Sequence, residues 1–148
     1  MTLNQELVRT RCQEIEDSLG RLERIKAVDK EDFLKDRDIQ DIASYRMLVA
    51  IEAALGLCYH VSAKSLKRVP NEYAECFAIL ADEGIIANDL SESLQRMARF
   101  RNILVHMYWK IDYGALYDLI QQRLNDLRHF SEAIVKLLTG TCPASPAR

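Results

Sequence analysis

Apolar side chains recur along this chain at steps of three to five residues, which is the spacing of an amphipathic α-helix. The first such stripe runs from Leu3 to Ile25 and lies opposite a strongly charged face. A second pattern begins near Asp32, strengthens from Ile39 and continues to about Leu66. The sequence has no sustained alternation of apolar and polar residues, which is the pattern of a half-buried strand. An all-α fold is therefore expected.

The second pattern is the most apolar part of the chain. Between Met47 and Leu57 its only charged residue is Glu52, which predicts a helix buried at the centre of the fold. We expect Glu52 to pair with a cation such as Arg46. The helix should end before Pro70, because proline pushes the residue that precedes it away from helical dihedrals.

Small polar residues and glycines divide the rest of the chain into three further helices. The predicted helix starts are Asn71 and then Asn88 or Asp89, and the predicted ends include Gly84 and Gly140. Asp112 and Gly114 mark a break before the last helix. Short connections favour antiparallel neighbours. We therefore predict one antiparallel bundle of about five helices over residues 1–140, followed by a flexible C-terminal tail over residues 141–148.

Composition favours a soluble globular protein. The chain has 148 residues, of which 49% are hydrophobic and 28% charged, so it is long enough to bury a core as a single domain. Its first residues are charged rather than apolar, and no apolar run reaches the roughly 20 residues that span a bilayer. No contact with a membrane is therefore expected. The four cysteines lack the spacing of a zinc site and are expected to be reduced, which favours the cytoplasm.

Positive charge is unevenly distributed, although the formal net charge is only −2. No acidic residue interrupts the stretch from Arg96 to Lys110, which carries four cations, and a second basic cluster lies near the end of the central helix. Such clusters focus a positive field on a polyanion. The candidates for contacts to a phosphate backbone are Arg46, Lys64, Lys67, Arg68 and Arg99.

The most distinctive chemistry lies within the fourth helix and the residues after it, in the run F-R-N-I-L-V-H-M-Y that ends at Tyr108. Arginine forks onto phosphate and histidine moves protons near neutral pH, so Arg101 and His106 suit a phosphodiester substrate. Positions five apart on a regular helix differ by about 140°. The two side chains therefore reach one phosphate only if the helix ends near His106 or a second chain shares the site. Tyr108, seven residues after Arg101, shares a face with it if the helix stays regular.

The segment R-N-x-L-V-H-x-Y resembles the R-x4-H-x-Y signature of the HepT-type toxins, within the wider HEPN group of helical ribonucleases. Two further stretches are similar to the same family, residues 50–60 and residues 80–86. The resemblance covers roughly Arg46 to the end of the last helix. It implies a homodimer in which the motifs of two subunits surround one cleft.

The resemblance implies a metal-independent endoribonuclease toxin of a type VII-like toxin–antitoxin pair, with RNA as substrate and no cofactor. In that scheme the substrate's own 2′-OH attacks the neighbouring phosphate. His106 removes that proton or protonates the leaving oxygen, and Arg101 stabilises the developing charge. Asn102 would position the imidazole or the substrate. No set of carboxylates accompanies His106, so no metal is expected. His60 is interpreted as a structural histidine.

The resemblance also gives Tyr108 a regulatory role, as the acceptor of AMP from a minimal nucleotidyltransferase antitoxin. The adduct would bring bulk and negative charge across the site, where Arg101 would bind it. From the residues alone, two other interpretations of Tyr108 stay open, namely core packing and stacking on a base. For the whole chain the alternative is a non-catalytic HEPN module for helical interaction or nucleotide binding, partnered with a nucleotidyltransferase.

Overall fold

Six α-helices make up the computed structural model, which describes residues 3–140. They are α1 (Gln5–Ile25), α2 (Lys30–Lys35), α3 (Arg37–Val61), α4 (Tyr73–Asp82), α5 (Asn88–His106) and α6 (Tyr113–Thr139). A π-helical turn (Ser62–Leu66) follows α3, and a 3-10 turn (Tyr108–Lys110) follows α5. None of residues 3–140 lies in a strand, and the predicted all-α fold is confirmed. The tail predicted for residues 141–148 lies outside the described residues.

The third helix is the centre of the bundle. It packs against all five other α-helices, and Met47, Ile51 and Leu57 are among its fully buried side chains. The segment Arg37–Leu66 is long and apolar enough to cross a membrane, but half of its most apolar window is buried inside the bundle. That burial is typical of the core helix of a globular protein, which is the place predicted for it.

The second predicted helix is in fact two helices, α2 and α3, separated at Asp36. This residue is extended, with φ −108° and ψ 102°, and its carboxylate accepts a hydrogen bond of 3.1 Å from the Ile39 N–H. The side chain thus caps the start of α3. The Gln40 amide donates to the Phe33 carbonyl oxygen at 3.0 Å and joins the two helices. The apolar pattern hid this break because the capping aspartate lies in a run of charged residues.

The helix ends that were predicted from glycines are confirmed. Gly84 has φ +77° and follows the end of α4. The Ile85 N–H donates to the Leu80 carbonyl oxygen at 2.9 Å, and the Gly84 N–H donates to that of Ala81 at 3.0 Å. These two bonds form a Schellman motif, which requires a left-handed residue. Gly140, with φ +81°, ends α6 in the same region of dihedral space.

The break predicted at Asp112 is confirmed, and the two helix starts predicted from polar residues are shifted. The Asp112 carboxylate accepts a hydrogen bond from the Ala115 N–H at 3.1 Å and caps α6. Asn71 lies two residues before α4, and Asn88 is the first residue of α5 rather than its cap. The shifts are small enough to leave the order of these helices as predicted.

Candidate functional site

The end of α5 lies within the R-N-x-L-V-H-x-Y segment. The last residue of α5 is His106, and Met107 leaves the helical region with φ −138° and ψ 48°. Tyr108 therefore begins a 3-10 turn. The expectation that Arg101 and Tyr108 share one helical face is wrong, because the helix stops between them.

The guanidinium of Arg101 is buried between three helices, and only 8% of the residue is exposed. Its Nη2 donates to Glu52 Oε2 of α3 at 2.9 Å, and its Nη1 donates to Asn102 Oδ1 at 3.0 Å. The guanidinium carbon lies 4.5 Å from the centroid of the Tyr73 ring of α4. The third nitrogen, Nε, has no hydrogen-bond partner among residues 3–140. Arg101 is thus held in one orientation with one of its three nitrogens unpaired.

His106 lies on the opposite, solvent side of α5 and is exposed. Within residues 3–140 it forms no hydrogen bond or ion pair with Arg101 or with any other side chain. Asn102 lies one helical turn before His106 and contacts Arg101 through its amide oxygen. A single chain therefore presents the imidazole to solvent and keeps the guanidinium inside, with Asn102 between them.

The cation expected to pair with Glu52 was the wrong one. Glu52 pairs with Arg101, whereas Arg46 lies 3.5 Å from the Asp17 carboxylate of α1 and 5.3 Å above the Tyr45 ring. The sequence showed an unpaired acid on an apolar helix but could not choose its partner, because that choice depends on how α3, α4 and α5 pack.

The basic cluster after α3 is partly neutralised in space. Arg68 forms ion pairs with Asp82 at 3.6 Å and Glu83 at 3.2 Å, at the end of α4. Lys64 and Lys67 are exposed, and Lys67 has the left-handed φ of +57° at the end of the π-helical turn. Arg99 is exposed on α5. Of the cations predicted to contact a phosphate backbone, Arg68 is thus paired, whereas Lys64, Lys67 and Arg99 form no ion pair within residues 3–140.

A groove of about 790 Å³ lies between α3 and the 3-10 turn. Tyr108 and Trp109, each 67% exposed, contribute rings whose centroids are 5.4 Å apart. The groove is lined by Leu34, Arg37, Gln40, Asp41, Ser44, Tyr45, Leu48, Leu104, Tyr108, Trp109, Ile111 and Tyr113. Sequence reasoning did not find it, because α2 and the 3-10 turn border it only after the chain has folded.

The groove and the buried arginine lie along the same seam between α3 and α5. Leu104 lines the groove one turn after Arg101, and Leu48 lines it one turn before Glu52. The seam thus passes from the Arg101–Glu52 pair to the phenol of Tyr108. His106 does not line the groove.

His60 has the structural role predicted for it. Its Nε2 accepts a hydrogen bond from the Asn4 backbone N–H at 2.9 Å, which ties the start of α1 to the end of α3. Burial, with a smaller contribution from the Lys64 ammonium, lowers the pKa of His60 below its ordinary value of 6.5. The lowered pKa favours the neutral imidazole, the form that can accept this hydrogen bond.

The cysteines of residues 3–140 are free thiols. Burial, together with the adjacent Cys76 thiol, raises the pKa of Cys58 and keeps it protonated. Among the described residues, no group of three or more His, Cys, Asp or Glu side chains is arranged to hold a metal ion.

Comparison with known proteins identifies the family of the chain. The family model described as Ribonuclease HepT-like matches residues 15–134. The mRNA nuclease HepT of Shewanella oneidensis is 27% identical over 115 residues, covering 76% of this chain and 86% of that protein. Residues 15–134, matched by the family model, include the segment from Arg101 to Tyr108.

Two solved structures show the same fold. The tri-AMPylated Shewanella oneidensis HEPN toxin, in complex with MNT antitoxin, has a TM-score of 0.80 and 23% identity over 87% of this chain and 96% of that one. YutE from Bacillus subtilis, described as a cytosolic protein of unknown function, has a TM-score of 0.82 and 20% identity over 95% and 94%. Both likenesses extend over nearly the whole bundle.

Proposed function

Because the chain belongs to the HepT-like ribonuclease family, we propose that it is an endoribonuclease toxin of a type VII-like toxin–antitoxin pair. Its partner would be a minimal nucleotidyltransferase antitoxin that transfers AMP to Tyr108. The observation that carries the proposal is the arrangement on α5, where a buried, fixed Arg101 lies just before an exposed His106 at the helix end.

In the proposed reaction the 2′-oxygen of one nucleotide forms a bond to the adjacent phosphorus, and the bond from phosphorus to the 5′-oxygen breaks. The products are a 2′,3′-cyclic phosphate and a 5′-hydroxyl. One proton leaves the attacking oxygen and one joins the leaving oxygen, so the reaction needs a base and an acid. His106, exposed at the end of α5, is suited to either role, and no metal ion takes part in this scheme.

Arg101 is proposed to stabilise the charge on the phosphate. A buried donor without a partner costs about 1–3 kcal/mol, so the unused Nε–H supports a role as a donor kept for a phosphate oxygen. The Glu52 side chain is 44% exposed while that of Arg101 is 10% exposed. Glu52 can therefore turn towards solvent and leave the guanidinium fork to an incoming phosphate. Asn102 would position the phosphate or the imidazole.

A homodimer is part of the proposal. One imidazole cannot serve as base and acid in the same step, whereas a two-fold dimer brings two copies of His106 to one cleft. The exposed apolar side chains of Val105 and Met107 flank His106, and exposed apolar patches are typical of interfaces. RNA entering the cleft would meet the exposed cations Lys64, Lys67 and Arg99. Arg46 and Arg68 would contact it by exchanging their present carboxylate partners.

Regulation would use the phenol of Tyr108. Its oxygen forms a bond to the α-phosphorus of ATP, pyrophosphate leaves, and the phenolic proton is released. Tyr108 is exposed and available for this transfer, whereas the Tyr117 hydroxyl already donates to the Val28 carbonyl oxygen at 2.7 Å. The proposed place of action is the cytoplasm, where RNA and ATP are both present.

One observation favours the alternative of a non-catalytic nucleotide-binding module. No hydrogen bond joins Arg101 to His106 within residues 3–140, and the groove contains neither of them. The two functions differ in whether the chain cuts RNA.

Expression of the chain without its partner separates the two functions. We expect the wild type to stop growth and degrade RNA, and His106→Ala to do neither. His129→Ala, which removes an exposed histidine of α6, should behave as the wild type. Growth arrest that persists in His106→Ala would reject the nuclease assignment.

A further inference from the structure

We infer that the groove between α3 and the 3-10 turn is a nucleotide-binding site, and that it seats the nucleotide carried by Tyr108 after AMP transfer. The inference rests on the proposed function and specifies how regulation acts on the site. In the groove the adduct phosphate would meet Arg37 rather than Arg101, which does not line the groove.

Tyr108, the proposed acceptor of AMP, lies at the groove. The Tyr108 ring is part of the groove wall, and the residue is 67% exposed. A nucleotide joined to the phenolic oxygen is therefore tethered at the mouth of the groove, where its effective concentration is high. The groove volume of about 790 Å³ lies within the range of roughly 300–1,000 Å³ found for small-molecule sites.

Exposed aromatic side chains line the groove. Tyr45 of α3 is 59% exposed, and Trp109 of the 3-10 turn is 67% exposed. Both line the groove, from two different elements. A purine presents a π-face to any aromatic ring, and stacking of this kind recurs where proteins bind single nucleotides of a strand. The pair therefore suits the adenine of the adduct.

Polar side chains of α3 also line the groove. Arg37 is exposed and forms no ion pair within residues 3–140, so its guanidinium is available for the adduct phosphate. Asp41, one turn later, offers acceptors to the adenine amino group. The Ser44 hydroxyl lies at the floor of the groove and has no hydrogen-bond partner among the described residues. Buried polar atoms without partners are rare in folded proteins, and a ligand in the groove would supply one.

A nucleotide in this groove would inhibit by covering the seam between α3 and α5. Leu104, in the groove wall, is one turn from Arg101. The seated adduct would therefore block the approach of RNA to the guanidinium. The Arg101–Glu52 pair would stay intact. Inhibition would depend on the groove as well as on the modification itself.

Trp109 is the only tryptophan of the chain, so its fluorescence reports on the groove directly. The experiment uses the full chain with His106→Ala, which allows expression in both the unmodified and the AMP-modified form. Intact-mass and peptide measurements establish the adduct on Tyr108, and acrylamide quenching measures the access to Trp109. We expect modification to lower the quenching constant at least twofold.

Variants of the groove distinguish a seated nucleotide from a free one. Tyr45→Ala and Arg37→Ala should keep the adduct and regain most of the quenching. Arg9→Ala, which removes an exposed arginine of α1, should leave the protection unchanged. Tyr45 and Arg37 are both exposed, so these substitutions are compatible with folding.

Four outcomes would overturn the inference. An adduct on Tyr108 with unchanged quenching would reject the groove and leave regulation by AMP in place. Protection that persists in both groove variants would do the same. Protection of Trp109 in the unmodified chain that grows with protein concentration would assign the groove to a second copy. A chain without any adduct on Tyr108 would reject the regulatory part of the proposed function as well.

Discussion

Arg101 of α5 and Glu52 of α3 form a charge-assisted hydrogen bond of 2.9 Å, in which the arginine is almost fully buried and the glutamate is nearly half exposed. The face of Tyr73 covers the guanidinium from a third helix. This contact fixes the residue proposed to bind phosphate, and it also joins three elements of the bundle. It therefore has consequences for stability as well as for activity.

Removal of the Glu52 carboxylate should destabilise the fold. In Glu52→Ala the buried guanidinium keeps its charge and loses its strongest acceptor, so the free energy of unfolding should fall by about 1–3 kcal/mol. Glu52→Gln keeps an acceptor oxygen and should cost less. Urea denaturation measures both, with Glu92→Ala, an exposed acid of α5, as the control. Equal stabilities of Glu52→Ala and Glu92→Ala would show that the pair contributes nothing.

Stability should decrease at mildly acidic pH because of His60. Its pKa in the folded chain is lowered from the ordinary 6.5 by burial and by Lys64, so the unfolded chain binds the proton more readily. The contribution is complete above pH 6.5 and is lost as the pH falls through the folded pKa. His60→Gln should have a flatter profile of urea midpoint against pH, while His129→Gln should follow the wild type. A wild-type profile in His60→Gln would exclude this role.

The backbone at Lys67 should prefer glycine. Its φ of +57° is a conformation that costs an L-residue roughly 1–2 kcal/mol and glycine almost nothing. Lys67→Gly and Lys67→Ala both remove the charge, yet Lys67→Gly should be more stable by about 1 kcal/mol. Thermal or urea unfolding compares them. Both should weaken RNA binding equally if Lys67 contacts the phosphate backbone, because both lack the ammonium group.

Features with a local chemical cause could be predicted from the sequence. Gly84 and Gly140 end helices because only a residue tolerant of positive φ fits there, and Asp112 caps α6 through its own side chain. The break at Asp36 was missed because its charged neighbours resemble the exposed face of a continuous helix. The end of α5 at His106 was one of two possibilities that the spacing of Arg101 and His106 left open, the other being a site shared with a second chain.

Features that depend on packing could not be predicted. Glu52 and Tyr73 lie 49 and 28 positions before Arg101 in the sequence, and only the assembly of three helices brings them to its guanidinium. The lone charge of Glu52 on an apolar helix indicated that it has a partner, but the sequence did not identify which cation it is. The predicted position of Tyr108 relative to Arg101 was wrong because it assumed that the helix continues to Tyr108, whereas α5 ends at His106.

The phenol of Tyr108 should be required for neutralisation and dispensable for cleavage. Tyr108→Phe keeps the ring in the groove wall and removes only the acceptor oxygen, so it should retain much of the activity and escape the nucleotidyltransferase. Intact mass after co-expression gives the adduct, and growth gives the neutralisation. An adduct found on Tyr45 or Tyr113, which also line the groove, would show that the acceptor is a different phenol.

The most direct test of the account is cleavage of RNA by the purified chain in the presence of a chelator, with analysis of the product ends. We predict cleavage to 2′,3′-cyclic phosphate and 5′-hydroxyl ends, with rates lower by about 10²–10⁴-fold in His106→Ala, as expected for loss of a general acid–base. The rate of cleavage by Arg101→Ala should be lower by at least about 10²-fold, because the charge on the phosphate is no longer stabilised. Cleavage at the wild-type rate by His106→Ala, or activity that disappears in chelator and returns with a divalent ion, would contradict it.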